Sequence, residues 1–178
     1  STDAPAVARL RANGAVFLGK TTTPEFGWKA VTDNPRGDIA RNPWDPRMTP
    51  GGSSGGAAVA AALGMGALHV GTDGGGSIRI PAGFTGIVGL KPTFGRVSAW
   101  PASLFGTVAH LGPMTRTVAD AALMLAAMSG PDSRDWLSSP DPLPDPRIGL
   151  DGGVAGLRVA FSPTLGYARV DPEVEAAV

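Results

Sequence analysis

The sequence predicts an α/β domain, and three observations carry that reading. Short apolar runs alternate with alanine-rich or amphipathic segments, the pattern of strands followed by helices. Glycine and proline, 26 and 17 of 178 residues, punctuate the chain at about twice the roughly 12% share of an average protein. Hydrophobic content nevertheless stays at 43%, which fits a chain that buries a core and not low-complexity disorder.

The elements follow in order. Ser1-Thr2-Asp3 reads as the cap of a helix over Ala4 to Ala12, with Val7 and Leu10 on its apolar side and Asn13-Gly14 closing it. Ala15 to Leu18 reads as a short buried strand. Pro24-Glu25-Phe26 opens a helical turn. Asp33 to Gly52 has no period and four prolines, so it reads as a long ordered loop, and such loops are usually functional. Gly55 to Leu63 is an alanine-rich buried helix ended by Gly64, and Ala67 to Thr72 a strand. Asp73 to Ser77 is a glycine turn, and Ser77 to Phe84 a short helix with Pro81 in its first turns. Leu90 to Gly106 reads as a second long loop, with His110 in loop before Gly112-Pro113. Thr117 to Met128 is the clearest amphipathic helix, stopped by Gly130-Pro131. Ser138 to Gly153 reads as proline-rich linker and Leu157 to Phe161 as a strand. Asp171-Pro172-Glu173 starts a last helix by the N-cap and first-turn proline preferences. That helix is cut short at Val178, so residues 1–178 are expected to be the central portion of one longer domain, truncated at both ends.

Composition excludes several function classes. Fifteen basic and fifteen acidic residues give a net charge of zero, against a generic nucleic-acid binder and against an acidic disordered tail. Without cysteine there is no disulfide framework, no thiol nucleophile and no thiolate metal site. Two histidines, His69 and His110, are too few for a histidine-based metal centre. The apolar stretches are broken by glycine before they reach bilayer length. The expectation is a cytoplasmic protein with no metal, no nucleotide or flavin cofactor, no nucleic acid and no membrane.

Gly14 to Thr21 matches the P-loop pattern letter for letter. The residues between its glycines are Ala15, Val16, Phe17 and Leu18, which read as strand and not as a loop that wraps phosphate, so nucleotide binding through Lys20 is a weak alternative. A stronger signal is a pair of glycine-flanked serines, Gly51-Gly52-Ser53-Ser54-Gly55-Gly56 and Gly71-Thr72-Asp73-Gly74-Gly75-Gly76-Ser77-Ile78-Arg79. Each lies where an extended segment meets a helix, where a serine hydroxyl is exposed and small neighbours admit substrate. Free N–H groups at a helix start can also hold an oxyanion. Singly, each motif is more often a capped turn; joined by a buried helix and a strand, the two favour a site. Neither histidine has a pattern that makes it the activating base, which leaves a serine–lysine scheme.

With the blocks Asn42-Pro43-Trp44-Asp45, Thr49-Pro50 ahead of the first serine motif, and Gly89-Leu90-Lys91-Pro92-Thr93 after the second, the sequence resembles the amidase signature family from about Asn13 to Leu165. The resemblance implies a mixed sheet flanked by helices and an enzyme that hydrolyses a carbon–nitrogen amide bond through a Ser–Ser–Lys triad. It makes Ser77 the acyl-accepting nucleophile and Ser53, after a cis peptide, the bridging serine. It makes the N–H groups of Gly74, Gly75, Gly76 and Ser77 the oxyanion hole, and Ser54, Thr72, Asp73 and Arg79 their supports; Asp73 and Arg79 also read as a local ion pair bracing the turn.

The resemblance places the catalytic lysine in a segment ahead of the first helix, and none of Lys20, Lys29 and Lys91 matches it. The expected substrate is a small-molecule amide, with Trp28, Trp44, Trp100 and Phe105 as apolar walls, although Trp28 and Phe105 read equally as core. The alternatives are a non-catalytic module that binds amide or acyl ligands and one component of an amidotransferase. Self-association through truncated edges is also expected.

Overall fold

In the computed structural model, which describes residues 2–178, a small sheet is flanked by helices on both faces. The order is α1 (Pro5–Ala12), α2 (Gly55–Ala62), β1 (Leu68–Asp73), α3 (Arg79–Thr85), β2 (Val88–Gly89), β3 (His110–Thr115), α4 (Val118–Met128) and α5 (Pro172–Ala177), with 3-10 turns at Glu25–Gly27, Gly106–Val108 and Leu150–Gly152. The strands lie in the order β1-β3-β2, and both pairings are antiparallel. The central strand β3 aligns Leu68 with Thr115 at one end and Asp73 with His110 at the other.

Strand alternation sends the two faces of this sheet to different helices. Met114 is fully buried with Ile78 and with Ala57 and Ala58 of α2. Val70 and Leu111, of opposite parity, pack on a second cluster of Ala6 and Leu10 from α1, Val97, and Met124, Leu125 and Met128 from α4. The alanine run of α2 is what lets that helix lie close to β1 and β3.

The helices at 55–62 and 118–128 lie where the sequence places them, and so does the short helix after Ser77. Thr117 caps α4 by accepting the Asp120 N–H at 3.1 Å while its hydroxyl donates to the Asp120 carboxylate at 2.7 Å. Asp171 caps α5 by accepting the Glu173 N–H at 2.9 Å, with Pro172 in the first turn. The cap expected for α1 is different: Ala4 holds that position without a side-chain bond, and Asp3 pairs with Arg11 instead at 2.9 Å. Ser1 lies outside the described residues. A further tie joins α1 to α4. The Arg9 guanidinium donates to the carbonyls of Gly130 at 2.6 Å and Pro131 at 2.5 Å, just past the α4 C-terminus.

Two expected strands are absent among the described residues. Ala15–Leu18 and Leu157–Phe161 are irregular, with Val16 83%, Leu18 79%, Val159 80% and Phe161 68% exposed. A strand exists only by pairing, and no described segment pairs with either run in a backbone ladder. Conversely, His110, which reads as loop before Gly112-Pro113 in the sequence, opens the strand β3 (His110–Thr115). No helix among the described residues is long and apolar enough to cross a membrane.

Candidate active site

Two serine turns meet above the C-terminal end of β1. The first arrives along the loop 33–52 and enters α2; its Gly52–Ser53 peptide is cis, in line with the family resemblance. Gly52 packs against the Val31 backbone so closely that a Cβ would lie 2.7 to 2.8 Å from the Val31 carbonyl and nitrogen. Ser53 and Ser54 are buried. The Thr32 hydroxyl secures this turn by donating to the Gly51 carbonyl at 2.8 Å and accepting the Gly55 N–H at 3.1 Å.

The second turn follows β1 directly. Ser54 ties the two together: its N–H donates to the Ser77 carbonyl at 3.1 Å, and its hydroxyl accepts the Thr72 N–H at 3.1 Å and donates to the Thr72 carbonyl at 3.3 Å. Thr72 thus serves through its backbone.

Asp73 organises the glycine turn from beneath. Its carboxylate accepts N–H bonds from Gly76 at 2.8 Å, Ile78 at 3.2 Å and Arg79 at 3.4 Å. The Arg79 guanidinium adds two more, at 3.0 and 2.9 Å. Burial, the largest single influence, pushes the Asp73 carboxyl upward, but the Arg79 hydrogen bonds, the Gly76 and Ile78 N–H groups and the guanidinium charge together hold it down at about 2. The ion pair read from the sequence is therefore present, and the turn is wound around it.

This arrangement sorts the four expected oxyanion donors. The Gly76 N–H is taken by Asp73. Gly76 supplies shape instead: its φ of +124° is one that L side chains rarely adopt, and an added Cβ, 2.7 Å from the Ile80 Cδ1, would have to push that side chain aside. The N–H groups of Gly74, Gly75 and Ser77 have no protein partner among the described residues, and neither do the hydroxyls of Ser53 and Ser77.

Ser77, Gly74, Gly75 and Gly52 line a cavity of about 600 Å³, within the size range of small-molecule sites. Its far walls are mostly apolar: Phe26 and Trp28 from one loop, Trp100, Pro101 and Phe105 from another, and Ile80 and Leu111 from the frame. Trp28 is 73% exposed and Phe105 42%, so both are wall and not core. Trp44 is not in the lining; its indole N–H donates to the Thr85 carbonyl at 2.8 Å and ties the loop 33–52 to the end of α3.

Three polar residues outside the serine motifs enter the lining with no local signal in the sequence, Lys29, Ser103 and His110. Lys29 is ion-paired with Asp33. His110, at the start of β3, turns Nδ1 toward the carbonyls of Val108 at 2.8 Å and Asp73 at 3.1 Å. Of the other lysines, Lys91 donates to the Pro92 carbonyl at 2.7 Å, and Lys20 lies exposed in the irregular stretch after α1. The P-loop-like run has no strand before it and no helix directly after it, the geometry a phosphate loop requires. His69, on β1, has its pKa lowered by burial and faces the Met65 carbonyl at 3.3 Å, outside the cavity lining.

The chain is 50% identical to an acylamidase of Rhodococcus erythropolis over 175 residues, 98% of this chain and 37% of that protein. It is 46% identical to a glutamyl-tRNA(Gln) amidotransferase subunit of Roseiflexus sp. (strain RS-1) over 177 residues, 99% of this chain and 36% of the other. Its fold superposes on a crystal structure of a bacterial aryl acylamidase of the amidase signature family with a TM-score of 0.90 at 36% identity, covering 99% of this chain and 36% of that one. The chain thus spans a little over a third of the length of the relatives it matches. The Amidase family model matches residues 1–178 throughout, and with these relatives and the paired serine turns it follows that the chain belongs to the amidase signature family.

Proposed function

We propose that the full-length protein hydrolyses the carbon–nitrogen bond of a small-molecule amide through an acyl-enzyme on Ser77. The observation that carries this reading is the meeting of Ser77 with three unengaged N–H groups, those of Gly74, Gly75 and Ser77, at one mostly apolar cavity. In this scheme the Ser77 Oγ bonds to the amide carbon, and its proton passes to Ser53 as the Ser53 proton passes to a neutral lysine amine. The carbonyl oxygen takes up negative charge facing the N–H groups of Gly74, Gly75 and Ser77. The carbon–nitrogen bond then breaks as the proton returns to the departing nitrogen, and water releases the acid from Ser77 by the same relay.

The lysine of this relay belongs to the protein outside these 178 residues. Lys29 is committed to Asp33, Lys91 to a backbone carbonyl, and Lys20 lies away from the cavity lining. We further propose that residues 1–178 form the central portion of one longer catalytic domain, a reading supported by their coverage of 36–37% of the relatives above.

A serine-directed fluorophosphonate tests the assignment on the full-length enzyme. The adduct is expected on Ser77, in the peptide that runs from Thr72 to Arg79. Ser77→Ala abolishes turnover, and Ser53→Ala leaves a slower enzyme. An adduct on Ser53 with Ser77 untouched would overturn the division of roles between the two serines.

The 46% identity to an amidotransferase component supports a second reading, in which the acyl group or the released ammonia goes to a partner-bound acceptor. Product analysis separates the two: hydrolysis yields free acid and amine with the purified single chain, whereas the transfer reading requires partner subunits for turnover.

A further inference from the structure

We propose that His110 is a positioning residue for the oxyanion turn, its Nδ1–H gripping the Asp73 carbonyl and thereby aiming the Gly74 N–H into the cavity. The inference rests on the amidase reading and adds to it a residue that lies outside both serine motifs.

The geometry points there step by step. Asp73 and His110 are the last cross-strand pair of the β1–β3 ladder, so the imidazole sits beside the peptide at which β1 ends and the glycine turn begins. Its Nδ1 lies 3.1 Å from the Asp73 carbonyl oxygen and 2.8 Å from that of Val108. Carbonyl oxygens only accept, so the nitrogen facing them carries a proton, and it does so in the neutral and the cationic ring alike. The Asp73 carbonyl and the Gly74 N–H belong to one planar trans peptide and point in opposite directions. A donor that fixes the oxygen on one side therefore fixes the N–H on the other. Phe94 holds the ring itself, edge to face, with centroids 5.7 Å apart at 77°.

The glycine turn needs such an external hold at this end. Asp73 secures the far half, through Gly76, Ile78 and Arg79. Gly74 and Gly75 have no side chain of their own to fix their peptide planes, and an added Cβ at Gly75 would meet nothing within 4 Å. His110 grips the near half, so the three unengaged N–H groups lie between two fixed ends.

The test is kinetic, on the full-length enzyme with 4-nitroacetanilide as probe. His110→Leu and His110→Asn have nearly the same shape, and only the asparagine amide can donate from about the position of Nδ1. His110→Phe keeps the ring packed on Phe94 without a donor. Removing an oxyanion donor outright costs about 10²–10³ in kcat, so leaving one unaimed should lower kcat about 10- to 100-fold in the Leu and Phe variants. KM should stay within about threefold, because the interaction removed is one that strengthens only as charge develops on the carbonyl oxygen. Phosphonylation by a fluorophosphonate, which also places an oxygen toward the Gly74 N–H, should slow in parallel. His110→Asn should restore both rates to within about fivefold of the parent.

An unchanged kcat in His110→Phe overturns the inference, as does a loss that asparagine fails to restore or one carried wholly by KM. Should the Leu and Phe variants not fold, His110→Asn decides alone: near-parental kcat is the expected result and a drop of 10-fold or more overturns it. Ser77→Ala is run beside them. If it abolishes turnover while the His110 variants are unaffected, the His110 role falls alone; if it leaves turnover intact, the amidase reading falls and takes the His110 role with it.

Discussion

Ser54 and Thr72 are joined by two hydrogen bonds through one hydroxyl, which accepts the Thr72 N–H at 3.1 Å and donates to the Thr72 carbonyl at 3.3 Å. Ser54, next to Ser53, therefore fastens the end of β1 to the start of α2. Ser54→Ala removes both bonds at a buried position and is expected to cost about 1–2 kcal/mol of stability. A denaturant midpoint on the full-length protein measures it; an unchanged midpoint would show that the two turns stay together without this hydroxyl.

Asp73 makes stability depend on acid. Its carboxyl is held at about 2 in the folded protein, against an ordinary 3.8. A carboxyl depressed on folding contributes fully above its unfolded value and loses that contribution as pH falls toward its folded one. The window is therefore about pH 4 down to pH 2, and the contribution above it is about 2 kcal/mol. Asp73→Asn should lower the unfolding free energy at pH 7, and the gap to the parent should shrink across that window. A gap that stays constant from pH 6 to below pH 3 would show that the Asp73 charge is not what braces the turn.

Gly52 and Gly75 should respond oppositely to the same added methyl. At Gly52 the new Cβ lies 2.7 Å from the Val31 carbonyl carbon, and backbone cannot give way as a side chain can; at Gly75 it meets nothing within 4 Å. Gly52→Ala is expected to cost about 1–3 kcal/mol and the activity with it. Gly75→Ala should leave the unfolding free energy within about 0.5 kcal/mol of the parent, and the melting temperature almost unchanged. Equal melting temperatures for the two variants would contradict the packing described at Val31.

Arg9 closes the far side of the molecule by donating to the carbonyls of Gly130 and Pro131 at 2.6 and 2.5 Å. Arg9→Met keeps the stem and loses the fork, for about 2 kcal/mol. Arg9→Lys should recover less than half, because an ammonium cannot span both oxygens as the planar guanidinium does. Thermal unfolding of the three proteins ranks them, and a lysine variant as stable as the parent would count against the fork.

The 178-residue chain alone should show no amidase turnover above background, whereas on the proposed reading the full-length protein should turn over simple aryl amides. Lys20→Ala and Lys91→Ala should leave the full-length rate within about threefold. With Val16, Leu18, Val159 and Phe161 all more than two-thirds exposed, the short chain should also self-associate. Turnover by the short chain that one of these lysine variants abolishes would mean that the proton acceptor lies within it. A sharp, monomeric unfolding transition would argue against the central-portion reading.

Much of the fold is legible residue by residue. Alanine runs bounded by glycine, and the threonine and aspartate caps at Thr117 and Asp171, mark the helices because their signals are local. The serine turns are legible for the same reason, since each is a contiguous run. β3 is not: Gly112 and Pro113 in its middle argue against a strand. The glycine is there for space, since a Cβ at position 112 would lie 2.1 Å from the Leu90 carbonyl. The runs 15–18 and 157–161 mislead in the other direction, because an apolar run reports a wish to be buried without saying against what. Lys29 and His110 reach the cavity through chain reversals, a non-local fact that no pattern around either residue encodes.

The aromatic walls of the cavity sit on stretches outside the sheet and the α-helices, while Leu111 and Ile80 of the frame complete the lining. Phe26 and Trp28 come from one such stretch, Trp100 and Phe105 from another, while Ser53 and Ser77 lie in the turns that lead into α2 and α3. Recognition and chemistry are in this sense separately mounted. On the proposed amidase reading, exchanging a ring at 26, 28 or 100 would reshape what fits while leaving the glycine turn in place, whereas Phe105 packs on that turn, 3.7 Å from where a Cβ on Gly74 would lie, so libraries at the first three positions are the economical route to altered amide selectivity.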